Sequence, residues 1–206
     1  MRIDIVNVRG IAKGEPEEKH GRKRMKYDKE IELKDGRRCL IRNATAQDAK
    51  NVLSSLKKVH KETNFLLRYP DEKGFSLEEE KSFLNQKEES AAEVQLCAIV
   101  GDVIVGLAGV SAIGAREKIS HRAELGLSIE KDYWSLGIGS ALTTACIECA
   151  KKAGFRQLEL EVVADNKNAI ALYKKLGFIE YGRNPRGFIS RSSGYQDLIL
   201  MRLELR

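Results

Sequence analysis

YWSLGIGSAL, residues 133–142, places two glycines at the beginning of a predicted helix. Glycine is a poor helix former, so Gly137 and Gly139 need a reason to stand there. A helix N-terminus presents about four unpaired backbone N–H groups and a partial positive charge. Residues without a side chain let a bulky anion reach those donors. The stretch 134–140, called the glycine turn below, therefore predicts a site for a phosphate or pyrophosphate. A tight strand-to-helix turn is the structural alternative.

Two other phosphate-binding motifs do not fit the glycine turn. A Walker loop needs a lysine and then Ser or Thr after its second glycine, whereas Gly139 is followed by Ser140 and Ala141. A dinucleotide fingerprint needs a third small residue three positions after its second glycine, and that position is Leu142. Neither a P-loop nucleotidase nor a nicotinamide enzyme is supported.

Predicted strands and helices lie on both sides of the glycine turn. After it the sequence predicts a helix to about residue 152, stopped by Gly154, and a second helix ended by Gly177. The strands predicted in this half are AELGLSI (123–129), QLELEVV (157–163), FIEYG (178–182) and DLILMRLEL (197–205). The segment 182–197 between the last two is interpreted as a loop.

The first half predicts two hairpins and two helices. Asp35-Gly36 and Gly101-Asp102 each lie between apolar runs, as two-residue hairpin turns do. The helix starts are predicted from two capping patterns, Thr45 with Asp48 and Ser76 with Glu79.

Together these elements predict a mixed α/β (α+β) fold. Strands dominate the first half, and a β-α-β-α-β run closes the chain. We expect a central mixed sheet of six to seven strands, antiparallel in the first half and parallel at the anion site, with helices on both faces.

Charge is concentrated near the beginning of the chain. The 206 residues contain 36 Lys and Arg against 30 Asp and Glu, and half of the net charge of +6 lies in residues 1–30. We predict a charged N-terminal extension over 1–28 and one domain over 29–206. The basic cluster GRKRMK (21–26) is interpreted as a solvated tail, with an anion or nucleic-acid contact as the alternative. Because no basic stripe with aromatic residues occurs, a nucleic-acid partner is not expected.

Other composition features restrict the class of protein. No apolar run is long enough for a transmembrane helix, and no secretory signal is recognisable, so the expectation is a cytoplasmic protein without a membrane partner. Cys146 and Cys149 lie near no second cluster of Cys or His. A zinc site needs about four ligands, so the four cysteines are predicted to be buried thiols and no metal site is expected.

The order of these segments resembles the GNAT superfamily of acetyl-CoA-dependent N-acetyltransferases over about residues 30–206. The family pattern is Arg/Gln-x-x-Gly-x-Gly/Ala, followed further along by Asn-x-x-Ala-x-x-Leu-Tyr-x-x-x-Gly-Phe. The family's Arg/Gln position holds Trp134 here. The matching residues are Gly137, Gly139, Asn166, Ala169, Leu172, Tyr173, Gly177 and Phe178.

The resemblance implies a site for acetyl-CoA as cosubstrate. Its pyrophosphate would bind backbone N–H groups of the glycine turn, and its pantetheine arm would run along the strand that ends at Ile129. A backbone N–H there, that of Leu127, would polarise the thioester carbonyl. The residues implied in cofactor binding are Leu127, Ser128, Ile129, Trp134, Ser135, Leu136, Gly137, Ile138, Gly139, Ser140, Asn166, Ala169 and Tyr173.

The resemblance also implies two proton handlers. Glu124 stands where many family members have a carboxylate base, acting directly or through water; a structural carboxylate is the alternative. Tyr173 stands at the position of the proton donor to the leaving thiolate, or is a core aromatic residue. Asn166 hydrogen-bonds the cofactor, caps its helix, or does both.

The implied acceptor is a primary amine of a small molecule or amino acid, attacking directly in a ternary complex. Candidate acceptor loops are 65–72 and 182–197. Their arginines favour an acceptor that carries a carboxylate or phosphate, and these are Arg68, Arg183, Arg186 and Arg191. Their carboxylates favour a polyamine or amino group, and these are Asp71, Glu72 and Asp197. The alternatives are a non-catalytic acyl-CoA sensor, a protein N-terminal or lysine acetyltransferase, and a longer-acyl transferase. Family analogy further implies a homodimer.

Overall fold

The computed structural model describes residues 24–206. The predicted N-terminal extension therefore lies mostly outside the described residues. Within 24–206, strands and helices follow the order β1 (Asp28–Glu32), β2 (Arg38–Asn43), α1 (Ala49–Glu62), α2 (Leu77–Glu89), β3 (Val94–Val100), β4 (Val103–Ala112), β5 (Arg122–Ile129), α3 (Ile138–Ala153), β6 (Gln157–Val163), α4 (Lys167–Lys175), β7 (Ile179–Ser190) and β8 (Gly194–Glu204).

The described strands form one mixed sheet in the order β1-β2-β3-β4-β5-β6-β8-β7. Neighbours from β1 to β5 are antiparallel, β5 and β6 are parallel, and β8 is antiparallel to both β6 and β7. This confirms the predicted fold class, with eight strands rather than six or seven. Parallel pairing is limited to β5 and β6, because β8 inserts between β6 and β7.

The interpretation of 182–197 as a loop is wrong. β7 continues to Ser190 and β8 begins at Gly194, so most of the segment is a long hairpin. A register shift between Asn184 and Phe188 accommodates Pro185, which lacks the N–H that a ladder requires. Because most of this strand is exposed, its polar residues do not show the alternation that identifies a half-buried strand.

The two faces of the sheet carry separate apolar clusters. Alternate residues of a strand point to opposite faces: Leu96 joins the cluster of α3 and α4, and Cys97 joins that of α1. Helices therefore cover both faces, as predicted. All four cysteines are buried free thiols within the described residues. No helix of the described chain combines the length and apolarity needed to cross a membrane.

Turns and caps follow the sequence closely. Val100 pairs with Val103, which confirms the two-residue turn at Gly101-Asp102. The first hairpin differs, because β1 ends at Glu32 and its loop spans 33–37. The Ser76 capping box opens α2 as predicted, whereas the Thr45 box opens a 3-10 turn over 46–48 before α1.

Candidate active site

A cleft opens in the sheet where β5 and β6 separate. The two strands pair over three positions, the last joining Glu124 to Glu159. Beyond it, residues 125–129 of β5 pair with β4 alone. Their other edge faces a cavity of about 440 Å³, lined also by the glycine turn, α4 and the end of α1. The strand edge thus offers backbone hydrogen-bonding groups to a bound molecule.

The glycine turn lies at one end of this cavity and supplies free donors. Gly137 is the N-cap of α3 with φ +103°, and the first helical bond runs from the Ala141 N–H to the Gly137 carbonyl. Within the described chain, the amides of 135–140 donate to no protein acceptor. Six consecutive unpaired N–H groups at a helix N-terminus make an anion site.

The two glycines stand there for different reasons. Gly137 is required by its left-handed conformation, and the space beside its Cα is open. Gly139 is tightly packed: a Cβ there would lie 3.1 Å from Leu172 Cδ2 and 3.3 Å from Ile129 Cδ1, so these two side chains would have to shift by a few tenths of an ångström. Both the anion-site interpretation and the tight-turn alternative are therefore compatible with the geometry.

Most residues predicted to bind the cofactor line the 440 Å³ cavity. Leu136 instead lines a second, neighbouring cavity of about 350 Å³, and the Ile138 side chain is buried in the core. These two can contribute through their backbone alone. The Trp134 indole N–H donates to the Ile129 carbonyl at 2.8 Å, which fixes the turn to the end of β5. The predicted residues that line the cavity are Leu127, Ser128, Ile129, Trp134, Ser135, Gly137, Gly139, Ser140, Asn166, Ala169 and Tyr173.

Several lining residues were not predicted. Lys34 reaches both cavities from the loop between β1 and β2, and its backbone N–H donates to the Leu136 carbonyl at 3.2 Å. Lys175 adds a second cation from the end of α4. No local pattern identifies Lys34, because tertiary packing alone brings the first hairpin to the glycine turn. Phe65 and Leu66 belong to the predicted acceptor loop 65–72, and Leu172 belongs to the family motif. The remaining unpredicted residues are Val59, Thr63, Tyr133, Val162, Asn168 and Ala171.

Glu124 lies at the point where the cleft begins. Burial first, and then the charges of Glu161 and Glu159, raises the pKa of Glu124 to about 7. Glu159 is neutralised by Arg122, whose Nη2 lies 2.7 Å from its Oε2, while no ion pair to Glu124 occurs among residues 24–206. A carboxylate with a pKa near neutrality is suited to accepting a proton.

Tyr173 lies on the other side of the cleft, on α4. It lines the cavity although only 4% of its surface is exposed. Its ring contacts Phe178 with centroids 5.7 Å apart. Burial raises the pKa of the phenol, which therefore keeps its proton. Asn166 caps this helix, its Oδ1 accepting from the Ala169 N–H at 3.2 Å.

A partly buried ion pair fixes α1 to the segment that precedes the glycine turn. Glu130, 4% exposed, accepts from Lys58 Nζ at 2.9 Å, and Asp132 accepts from the same Nζ at 3.0 Å. The Lys131 N–H donates to Glu62 at 2.8 Å. These contacts set the position of the turn against the helix on the opposite face of the sheet.

The charged residues of the predicted acceptor loops largely neutralise one another. Arg191 Nη1 lies 2.8 Å from both oxygens of Asp71, and Arg183 lies 3.3 Å from Asp197. Arg186 stacks on Tyr195, 4.1 Å from the ring centroid. These arginines are thus engaged within the protein, which does not support the expectation that they recognise an anionic acceptor.

A mixed sheet separated at one parallel pair, with the free N–H groups of a helix N-terminus at the cleft, is the arrangement that the resemblance to the GNAT superfamily implies. A model of the Acetyltransferase (GNAT) family matches residues 57–178. The chain belongs to this family, which confirms the resemblance. No group of three or more potential metal ligands occurs within the described residues.

Solved structures and curated proteins agree with the family. An acetyltransferase of the GNAT family from Streptococcus pneumoniae superposes with a TM-score of 0.77 at 33% identity, covering 81% of this chain and 99% of that chain. A putative acetyltransferase from Salmonella typhimurium, solved with its cofactor acetyl-CoA, shares the fold at 17% identity and a TM-score of 0.73, covering 82% and 94%.

Curated relatives match over shorter stretches. The ribosomal protein bS18-alanine N-acetyltransferase of Escherichia coli K12 is 38% identical over 79 residues, 38% of this chain and 53% of the relative. The matched stretches span 23 to 53% of the length of the first curated relatives.

Proposed function

We propose that this protein is an N-acetyltransferase that moves an acetyl group from acetyl-CoA to a primary amine of a small molecule or amino acid. The observation that supports it most is the single cavity joining the free amides of the glycine turn, the open edge of β5 and the Tyr173 phenol. Glu124 lies at the same point of strand separation. An anion site, a strand edge and two proton handlers are what this reaction requires.

The residues present fit acetyl-CoA. The amides of 135–140 and the side chains of Lys34 and Lys175 provide donors and positive charge for its phosphates, and the edge of β5 provides backbone partners for its amides. Bound acetyl-CoA supplies an activated acetyl thioester. The Leu127 N–H is our proposed donor to the developing oxyanion.

Glu124 acts as the proposed general base. An alkyl amine has a pKa of about 10.4 and is mostly protonated at neutral pH, so attack requires loss of a proton. The Glu124 carboxylate, with its pKa raised to about 7, holds a proton more strongly than an ordinary glutamate. It accepts the amine proton directly or through one water molecule.

Tyr173 acts as the proposed proton donor to the leaving sulfur, because its phenol stays neutral. Tyr173→Phe is expected to lower kcat roughly 10²-fold, with little change in the affinity for coenzyme A. Thiol release and calorimetry measure the two quantities. Ile170→Val, on the same helix and in the same apolar cluster but not lining the cavity, is the packing control. If Tyr173→Phe kept the parent's kcat, the tyrosine would be a core residue only.

Lys34 is our proposed phosphate contact from outside the family motif. Lys34→Gln is expected to weaken coenzyme A binding about tenfold, as loss of a charge-assisted contact would. Calorimetry with 3′-dephospho-coenzyme A identifies the phosphate that Lys34 contacts. If Lys34→Gln loses as much affinity for this analogue as for coenzyme A, the contact is to the pyrophosphate; if it loses less, the contact is to the 3′-phosphate. Lys29→Gln is the control, because Lys29 lines the second cavity and not the first. Equal affinity of Lys34→Gln and parent for coenzyme A would contradict the contact.

The proposal as a whole is tested by thiol release from acetyl-CoA against a panel of amines and amino acids. A peptide with an N-terminal alanine belongs in the panel, because the E. coli relative is named for an alanine of ribosomal protein bS18. Turnover with any amine supports the proposal. Coenzyme A binding without turnover across the panel would favour a sensor, and a folded protein that does not bind coenzyme A would contradict both.

A further inference from the structure

A break in strand pairing divides the β7–β8 hairpin into an inner part and an outer part. Regular pairing is interrupted between Asn184 and Phe188, where Arg186 adopts φ +57°. Pairing resumes from Phe188 to the turn, which ends at Gly194 with φ +67°. Such an interruption bends the strand and increases its local twist. The segment 185–194 is called the hairpin tip below.

The hairpin tip is fastened to the loop between α1 and α2, residues 63–76. Arg191 Nη1 lies 2.8 Å from both oxygens of Asp71, and its guanidinium stacks 3.9 Å from the centroid of the Tyr69 ring. The Arg191 backbone N–H also donates to the Tyr69 hydroxyl. These three residues are called the latch. Beside it, Asn64 donates to the Ser192 hydroxyl at 3.1 Å.

The segments joined by the latch also meet over an apolar cluster. Phe65 from the loop packs on Val163, Phe188 and Leu198, and Phe65 also lines the 440 Å³ cavity. Phe65 therefore contacts both the apolar cluster beside the latch and the cavity. Parting of the hairpin tip from the loop would separate Phe188 from Phe65 and open this end of the cleft.

Glu124 lies on the face of the sheet that the latch closes. Glu124 pairs with Glu159, and Val163 follows Glu159 at an even spacing on the same strand. Residues two or four apart on a strand share a face. The cluster under the latch and the Glu124 side chain are therefore on one side of the sheet. Val163 and Glu159, the partner of Glu124, are about 13 Å apart along β6.

We propose that the latch of Tyr69, Asp71 and Arg191 controls which acceptors reach Glu124, by holding the hairpin tip against loop 63–76; this inference rests on the proposed function. The closed latch admits small amines and excludes bulky ones. Because the Arg191 and Asp71 side chains are 60% and 64% exposed, the pair is weak and opens readily. Bulky acceptors therefore enter from the open state, whereas coenzyme A binds at the opposite end of the cavity regardless of the latch.

The first test is hydrogen exchange, which needs no substrate. Asp71→Asn removes the charge from the latch and is expected to speed exchange about fivefold in loop 63–76 and in the hairpin tip together. Glu30→Gln is the matched control, because it removes the carboxylate from an exposed pair with Arg38 on β1 at the opposite edge of the sheet. Faster exchange confined to the substituted loop would overturn the latch.

The second test compares kcat/KM across primary amines of increasing size. Asp71→Asn is expected to raise the ratio of bulky to small acceptors about fivefold while KM for acetyl-CoA stays within about twofold. The double variant Asp71→Arg with Arg191→Asp should return the ratio toward that of the parent. An unchanged size ratio in Asp71→Asn would overturn the control of access. If the parent acetylated no amine, the proposed function would fail, and hydrogen exchange would still decide whether the latch joins the two segments.

Discussion

Glu124→Gln is expected to lower kcat by roughly 10² to 10³ while leaving the affinity for coenzyme A unchanged. The amide keeps the size of the side chain but cannot accept the amine proton. Steady-state thiol release and calorimetry measure the two effects separately. A variant with the parent's kcat on a good acceptor would show that Glu124 is a structural carboxylate.

The pH dependence gives this prediction a second readout. The base acts when deprotonated, so the parent's kcat/KM, which reports the pKa values of the free enzyme, should rise with pH through about 7. Glu124→Gln should lose that inflection. Glu161→Gln is the matched comparison: because the Glu161 charge raises the pKa of Glu124, its removal should move the inflection to lower pH without abolishing activity.

The raised pKa of Glu124 also predicts how the stability of the protein depends on pH. The pKa of Glu124 is higher in the folded protein than the value of about 4.3 in an unfolded chain. Its contribution to stability is therefore fully present below about pH 4 and is lost as the pH rises through about 7. Glu124→Gln should raise the free energy of unfolding at pH 8 by roughly 1 to 3 kcal/mol relative to its effect at pH 4. Greater stability with less activity is typical of a site residue.

Ser140→Asp is expected to weaken coenzyme A binding more than about 100-fold, in a protein that folds as well as the parent. A carboxylate in the first turn of α3 interacts favourably with the helix dipole, yet Ser140 lines the cavity beside the glycine turn. It would therefore occupy the anion site and repel the diphosphate.

Calorimetry with coenzyme A and thermal unfolding check the two parts of the Ser140 prediction. Ser140→Asn has nearly the same shape without the charge and should lose far less affinity. Equal losses for Asp and Asn would mean that size, and not charge, matters at this position, and the anion site would then lie elsewhere.

The sequence predicted those features that depend on neighbouring residues. The caps at Ser76 and Gly154 and the turn at Gly101 depend on local backbone geometry, so local patterns identify them. The family motif correctly placed Gly137 and Tyr173 at the cavity, because its spacing fixes how β5, α3 and α4 meet. Family membership is established by comparison, whereas the catalytic roles of Glu124 and Tyr173 stay predictions.

Features that depend on distant segments were missed. Lys34 lines the cavity because the first hairpin packs beside α3, and no pattern near Lys34 indicates this. The outer β7–β8 hairpin was missed because the exposed residues of β7 lack the alternation of a half-buried strand, and the register shift that accommodates Pro185 appears only in the sheet. Local sequence patterns cannot predict the latch either, because Asp71 and Arg191 are 120 residues apart.

The insertion of β8 between β6 and β7 also constrains the order in which the polypeptide assembles. β7 is made before β8 but contacts β6 only through it, so it has no site on the nascent sheet until its hairpin partner exists. A hairpin forms locally in microseconds, which favours docking of both strands as one preformed ribbon. The hairpin tip that carries Arg191 would then be the last part of the sheet to assemble, after β5, α3 and the glycine turn between them.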